Sequence, residues 1–177
     1  MKKFKYVNPF YGRNYFSENL LPSEVFAGHR TVRQSIPFTQ HDDLELLLIR
    51  KGEGILTVNA AEYPLSRGML FCFSPHHFHK LTLPRGHTLE VSECHVNSGV
   101  YFYITACPYF IADERTVPYP PLLARLDETH VSMAEALMDQ ITGESTKKTV
   151  KIAENQNCFF LMMKLFGLLE KFSVPDA

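Results

Sequence analysis

From Val25 to about Tyr103 the apolar residues fall in short runs separated by turn formers. Leu44-Glu45-Leu46-Leu47-Leu48-Ile49-Arg50 stops at Lys51-Gly52-Glu53-Gly54, and Ile55-Leu56-Thr57-Val58 stops at Asn59-Ala60-Ala61-Glu62. Tyr63-Pro64-Leu65 leads to Ser66-Arg67-Gly68, then Met69-Leu70-Phe71-Cys72-Phe73 to Ser74-Pro75-His76-His77. Lys80-Leu81-Thr82-Leu83 precedes Pro84-Arg85-Gly86, and Thr88 to Val96 and Val100 to Thr105 complete the series. Short runs with a turn signal about every ten residues predict an all-β sandwich or small barrel.

The last third has a different period. Ser132-Met133-Ala134-Glu135 reads as a capping box, with Met133, Leu137, Met138 and Ile141 at helical spacing behind it and Gly143 as a stop. A second helix is expected from Thr149 to Phe172 with two apolar stripes: Ile152, Phe159, Met162, Phe166 and Leu169; and Cys158, Leu161, Leu165, Leu168 and Phe172. A helix resting on one surface needs one stripe. Either the first helix and the barrel take one stripe each, or one stripe meets the same helix of a second subunit.

Residues 1–23 carry neither period. Tyr6, Phe10, Tyr11, Tyr15 and Phe16 stand there among turn formers, an aromatic arm expected to lie against the body because rings of that size have area to bury. In the 177 residues, 45% are hydrophobic and 21% charged, the balance of an ordinary globular protein of one domain. Eighteen Lys and Arg against nineteen Asp and Glu leave a formal charge of −1, so no global field would hold a polyanion. The basic start lacks an apolar run behind it, and nothing approaches the roughly 18 apolar residues of a membrane span. Four scattered cysteines without a C-x-x-C pair read as reduced, buried thiols, and the expected location is the cytoplasm.

The stretch richest in chemistry is Phe38-Thr39-Gln40-His41-Asp42-Asp43-Leu44-Glu45, followed after six intervening residues by Gly52. Gly68 to Pro75 and His76-His77-Phe78-His79 follow about thirty residues later. In these positions the sequence resembles the cupin superfamily. Its first motif, H-x-H, three or four residues, E, six residues, G, is matched at His41, Glu45 and Gly52; the later His is matched at His79, and Thr39 replaces the first His. The resemblance implies a ligand set of His41, Glu45 and His79, able to hold zinc, nickel, iron or manganese with water in the open positions. The same side chains would otherwise hydrogen-bond in the barrel mouth or to an organic ligand. Four residues of straight strand put His41 and Glu45 about 13 Å apart, so the chain must bend at Asp42-Asp43 before they converge.

Other residues carry weaker signals. His76 and His77, in a Pro-containing turn, are expected to be solvated, and Cys94-His95 to be core. Arg30 and Arg33 lie on opposite faces of an early strand, where one can aim a guanidinium inward. Lys147-Lys148 and Lys151 read as a solvated helix start.

The order of parts resembles something narrower, the N-terminal sensor half of AraC-type transcription regulators. The likeness spans nearly the whole chain and is best from Ile36 to Tyr103. It implies a mainly β fold: a cupin-like double-stranded β-helix (jelly-roll) barrel over residues 24–106, after the arm at 1–23. A linker and a two-helix C-terminal hairpin at 107–177 would follow. It also implies a small effector inside the barrel, a homodimer through the C-terminal helices, and an arm that closes over bound ligand. DNA contact would belong to a helix-turn-helix half beyond Ala177. Phe71 and Phe73, alternating with Leu70 and Cys72, are expected to line the cavity, with His41, Glu45, His79, Thr39 and Arg30 as polar orienters. A sugar or an aromatic acid would suit such a lining. The competing classes are a metal-dependent cupin isomerase or dioxygenase and a sugar-binding cupin.

Overall fold

The computed structural model of the chain describes residues 25–40, 44–74, 77–96, 121–145 and 156–174. Among these, the strands are β1 (Val25–Val32), β2 (Ile36–Thr39), β3 (Leu44–Gly52), β4 (Gly54–Val58) and β5 (Ala61–Leu65). They continue with β6 (Met69–Phe73), β7 (His79–Thr82), β8 (Leu89–Val96) and β9 (Leu122–Arg125). Helices α1 (Glu128–Ser145) and α2 (Gln156–Phe172) follow. The aromatic arm, His41, His76, the run from Val100 to Thr105, Cys107 and the lysine cluster lie outside the described residues.

The strands make two antiparallel sheets, β1-β8-β3-β6-β9 and β2-β7-β4-β5. Side chains alternate across a strand, so each strand of the large sheet serves two cores. Leu47, Ile49, Phe71, Phe73, Leu89 and Val91 face Leu56, Val58, Leu65 and Leu81 of the small sheet and fill the barrel. Leu46, Leu48, Leu70, Cys72, Cys94 and Val96, one residue out of phase, pack under the helices. The layers are therefore small sheet, large sheet, helices. Both faces of β3 are covered, which is why its sequence is an almost unbroken apolar run. The fold is the mainly β, cupin-like barrel with two following helices that the sequence implied.

Three details differ from the sequence reading. First, the segment assigned to a linker supplies β9, which pairs with β6 from Met69↔Arg125 to Cys72↔Leu122 and extends the large sheet. Second, α1 begins at Glu128, one turn before the expected box. Asp127 is its cap: Oδ1 accepts the backbone N–H of His130 at 2.9 Å and its Nδ1 at 2.8 Å. Ser132 instead donates its hydroxyl to the Glu128 carbonyl inside the helix, and Met133 is half exposed while Val131 and Ala134 take the buried face. Third, the helix passes through Gly143 to Ser145, because one helical glycine costs only about 1 kcal/mol.

The two stripes of α2 follow the first of the two arrangements open to them, cover by the first helix and the barrel. Cys158, Met162, Leu165, Phe166, Leu168 and Leu169 are all buried in one core, with Leu161 and Phe172 packed against it. The helix sits between α1 on one side and β9 and β6 on the other, so these described members of both stripes find their cover within the chain. The end of α2 is tied back to β9 by an Ala124↔Ser173 bridge and by the Val174 N–H donating to the Leu123 carbonyl at 2.9 Å.

Candidate functional site

The inward phase of the large sheet is apolar at one end and ionisable at the other. Leu47 and Ile49 set the inward face of β3, which places Glu45 inside; Leu89 and Val91 set that of β8, which places Glu93 and His95 inside. Val32 does the same on β1 for Arg30, whereas Arg33 lies beyond the strand and is exposed. Glu45 is directly opposite His95 in the β3–β8 register, and Leu47 opposite Glu93. Three adjacent strands thus bring Arg30, Glu93, His95 and Glu45 to one patch.

The small sheet closes over this patch. Thr39 of β2 is buried, and His79 of β7 pairs with it across the ladder. The His79 ring stacks on Phe73, centroids 5.0 Å apart, and its Nδ1 lies 3.1 Å from the His77 carbonyl. That contact makes Nδ1 the protonated nitrogen and turns Nε2 toward Glu45, 3.7 Å from Oε2. His95 Nε2 lies 4.0 Å from Glu45 Oε1, and Arg30 Nη2 is 2.8 Å from Glu93 Oε2. Ligand-type atoms of Glu45, Glu93 and His95 all fall within 4.8 Å of one another.

Burial raises the Glu93 carboxyl above the ordinary carboxylate range; the charges of Arg30 and His95 pull it down and Glu45 pushes it further up. A carboxylate with one strong cationic partner and a second carboxylate beside it is the arrangement that produces this conflict. The neighbouring thiols are inert, since Cys94 points away under the helices, where desolvation holds it protonated.

A narrow cleft of about 30 Å³ opens beside the patch, lined by Arg30, Thr39, Glu45 and His79 with an apolar wall that includes Ile36, Leu56 and Leu81. Four of the residues expected from the sequence therefore meet there. Phe71 and Phe73 do not line it; they are stacked on each other at 5.9 Å in the packed barrel core, with Tyr63 edge-on to Phe71. His77 is buried rather than solvated: its Nδ1 accepts the Ser74 N–H at 3.0 Å and so closes the turn that delivers His79. Glu93 and His95 were not singled out as site residues from the sequence. The signal was present in β8, where Leu89 and Val91 fix a phase that continues to 93 and 95.

Residues 22–156 match the AraC-like ligand binding domain family. The chain belongs to this family. Among solved structures it is similar to apo ToxT from Vibrio cholerae at 12% identity, covering 84% of this chain and 56% of that one with a TM-score of 0.56. It thus spans just over half the length of the ToxT chain. It is also similar to a cupin protein from Bacteroides fragilis (18% identity, 42% of this chain and 65% of that one, TM-score 0.36). A Cupin 2 conserved barrel domain protein from Salinispora arenicola matches at 12% identity over 48% of this chain and 73% of that one, TM-score 0.39. At 12% identity the likeness to ToxT is one of fold alone. Among curated proteins nothing matches the chain significantly. An AraC-like ligand binding domain is a sensing module, and none of its described helices is long and apolar enough to cross a membrane.

Proposed function

We propose that the chain is the effector-sensing and self-association part of an AraC-type regulator, that it is not an enzyme, and that its effector enters the cleft between the two sheets. The observation that carries this reading is Glu45, a carboxylate only 6% exposed that lines the cleft and faces the Nε2 of His79. Arg30, Thr39, Glu45 and His79 give the effector polar contacts against an otherwise apolar wall, the composition of a small-molecule site.

The charge of the lining selects among effectors. Arg30 is engaged with Glu93, so an aromatic acid would bring a third carboxylate toward Glu45 and Glu93 with no guanidinium to itself. A neutral, hydroxyl-rich molecule such as a sugar donates to Glu45 and His79 without that penalty. At about 30 Å³ the cleft holds one or two waters, far below the roughly 300 Å³ of a ligand site, so binding requires it to widen. The wall that yields is β2: it has four residues, sits at the edge of its sheet and has an irregular register with β7.

Widening is coupled to the helices through β3. Glu45 and Leu47 touch the cleft while Leu44, Leu46 and Leu48 of the same strand pack in the core beneath the helices. An effector that favours the widened barrel shifts the helices only as far as its affinity differs between the two states. The exposed face of α2, with Phe160 and Lys164, is the surface for a homodimer, and DNA is contacted by a separate helix-turn-helix half.

The test is calorimetric titration of the chain, in chelator, with a panel of neutral sugars and aromatic carboxylates. Binding of a sugar, weakened about tenfold or more by Glu45→Ala, is expected. Binding of aromatic acids alone, unaffected by Glu45→Ala, overturns the assignment. Sedimentation velocity of wild type and Phe160→Glu checks the dimer, with a monomer expected for the variant.

A further inference from the structure

We propose that Glu45, Glu93 and His95 form a divalent-cation site inside the barrel, beside the cleft. This set shares only Glu45 with the residues that the cupin resemblance implies; its other two members come from β8, on the far side of Glu45 from Phe73.

Three observations support it. The first is the donor set: two carboxylates and one imidazole, each at most 12% exposed in its side chain, with one ligand atom apiece inside a 4.8 Å circle. Ligands about 2.0–2.2 Å from a metal lie at most about 4.3 Å from one another, so the His95–Glu45 separation of 4.0 Å already fits. The rest close by less than about 1 Å of side-chain rotation. The second is charge. Two buried carboxylates face one guanidinium, and a dication supplies the charge that Arg30 alone does not. The third is the surroundings. Arg30 holds Glu93 as an outer partner holds a ligating carboxylate, and the cleft at Glu45 offers an access route and room for water in open positions.

The chemistry of the donors narrows the ion. Among the described residues Cys72, Cys94 and Cys158 belong to the opposite core and offer the site no thiolate, and two oxygens with one nitrogen suit Mn²⁺, Fe²⁺ or Zn²⁺ better than a soft ion such as Cu⁺.

The experiment strips the chain with chelator, then loads it with Zn²⁺ or Mn²⁺ alone and counts metal per chain by elemental analysis, with affinity from calorimetry. One ion per chain is expected. Glu93→Gln and His95→Asn should each weaken binding about 100-fold or more, Arg30→Met about tenfold, and His79→Asn less than about threefold. Circular dichroism of the metal-free variants checks that they fold. Should they not, Co²⁺ absorption of the wild-type chain decides, with d–d bands and no thiolate charge-transfer band expected. Less than a stoichiometric ion at millimolar metal, a thiolate band, or loss with His79→Asn but not His95→Asn would each overturn the site. The effector titration is run in chelator, so either proposal can fail without the other.

Discussion

Arg67, in the turn before β6, grips Glu135 in the middle of α1 with both arms of its guanidinium: Nη1 is 2.6 Å from Oε1 and Nη2 3.4 Å from Oε2. The same Nη1 donates to the Arg50 carbonyl at 2.6 Å, and Nε reaches Glu128 at 3.2 Å. One side chain thus joins the end of β3 to two turns of α1. Bidentate geometry makes this stronger than a usual surface pair, but the Arg67 side chain is 37% exposed, so solvent screens it. Arg67→Ala is expected to lower stability by about 1 kcal/mol, with a coupling to Glu135→Ala of about 0.5 kcal/mol in a double-mutant cycle. Urea unfolding of the four proteins measures both.

Gly68 separates two contributions to a glycine's role. Its φ is +86°, and a Cβ there would lie 2.7 Å from Val131 Cγ2 and 2.8 Å from the Leu126 carbonyl oxygen, atoms that seat the start of α1 on the barrel. Gly86 has φ +81° with nothing within 4 Å. Gly86→Ala should therefore cost only the left-handed backbone strain, about 1 kcal/mol, and Gly68→Ala about 2–3 kcal/mol, since backbone and helix must also shift. Thermal unfolding of the pair gives the difference, and equal values would mean the helix yields freely.

The barrel was legible because period-two alternation and turn residues are local signals. Met69–Phe73 emerges with the bounds its sequence marks, and Leu70 and Cys72 separate from Phe71 and Phe73 onto opposite faces as alternation requires. What eluded the sequence depends on distant partners. β9 is four residues whose strand character comes from pairing with β6, about fifty residues earlier, and Asp127 caps α1 without the Glu three residues on that marks a box. The sequence marks the stripes of α2 but leaves open whether its own chain or a second subunit covers them, and the packing puts their described members against α1 and the sheet. For the site, motif spacing singled out Glu45 and His79, while Glu93 and His95 needed the phase of β8 to be followed past its apolar half. Alternation put Phe71 and Phe73 on the inward face but could not say whether they line a cavity there, because a ring facing inward fills a barrel as readily as it lines a hollow.

That last distinction is measurable. Phe71 is wholly buried between Phe73 and Tyr63, so Phe71→Ala removes a filled volume and is expected to cost about 3–5 kcal/mol. Phe160 is 59% exposed on α2, and Phe160→Ala should change monomer stability by no more than about 0.5 kcal/mol. Guanidinium unfolding at low protein concentration compares them. A small effect at Phe71 would mean that the barrel centre is a cavity after all.

The thiols give a prediction in pH. Desolvation is the main cause that pushes Cys72 up to about 12 and Cys158 up to about 11 from an ordinary 9.0, and it raises Cys94 well above that value too. Under native conditions at pH 8, a thiol reagent should leave Cys72, Cys94 and Cys158 unlabelled, with peptide mapping to separate them from Cys107. The linkage has one sign. An unfolded chain releases these protons above about pH 9 and the folded chain does not, so deprotonation favours unfolding. Their contribution is complete below pH 9 and is lost as pH climbs toward 12, at up to about 1.4 kcal/mol per pH unit for each thiol. Cys72→Ala and Cys94→Ala, compared with wild type by denaturant unfolding between pH 8 and 11, should each flatten that decline; an unchanged slope would mean that the thiols ionise as easily folded as unfolded.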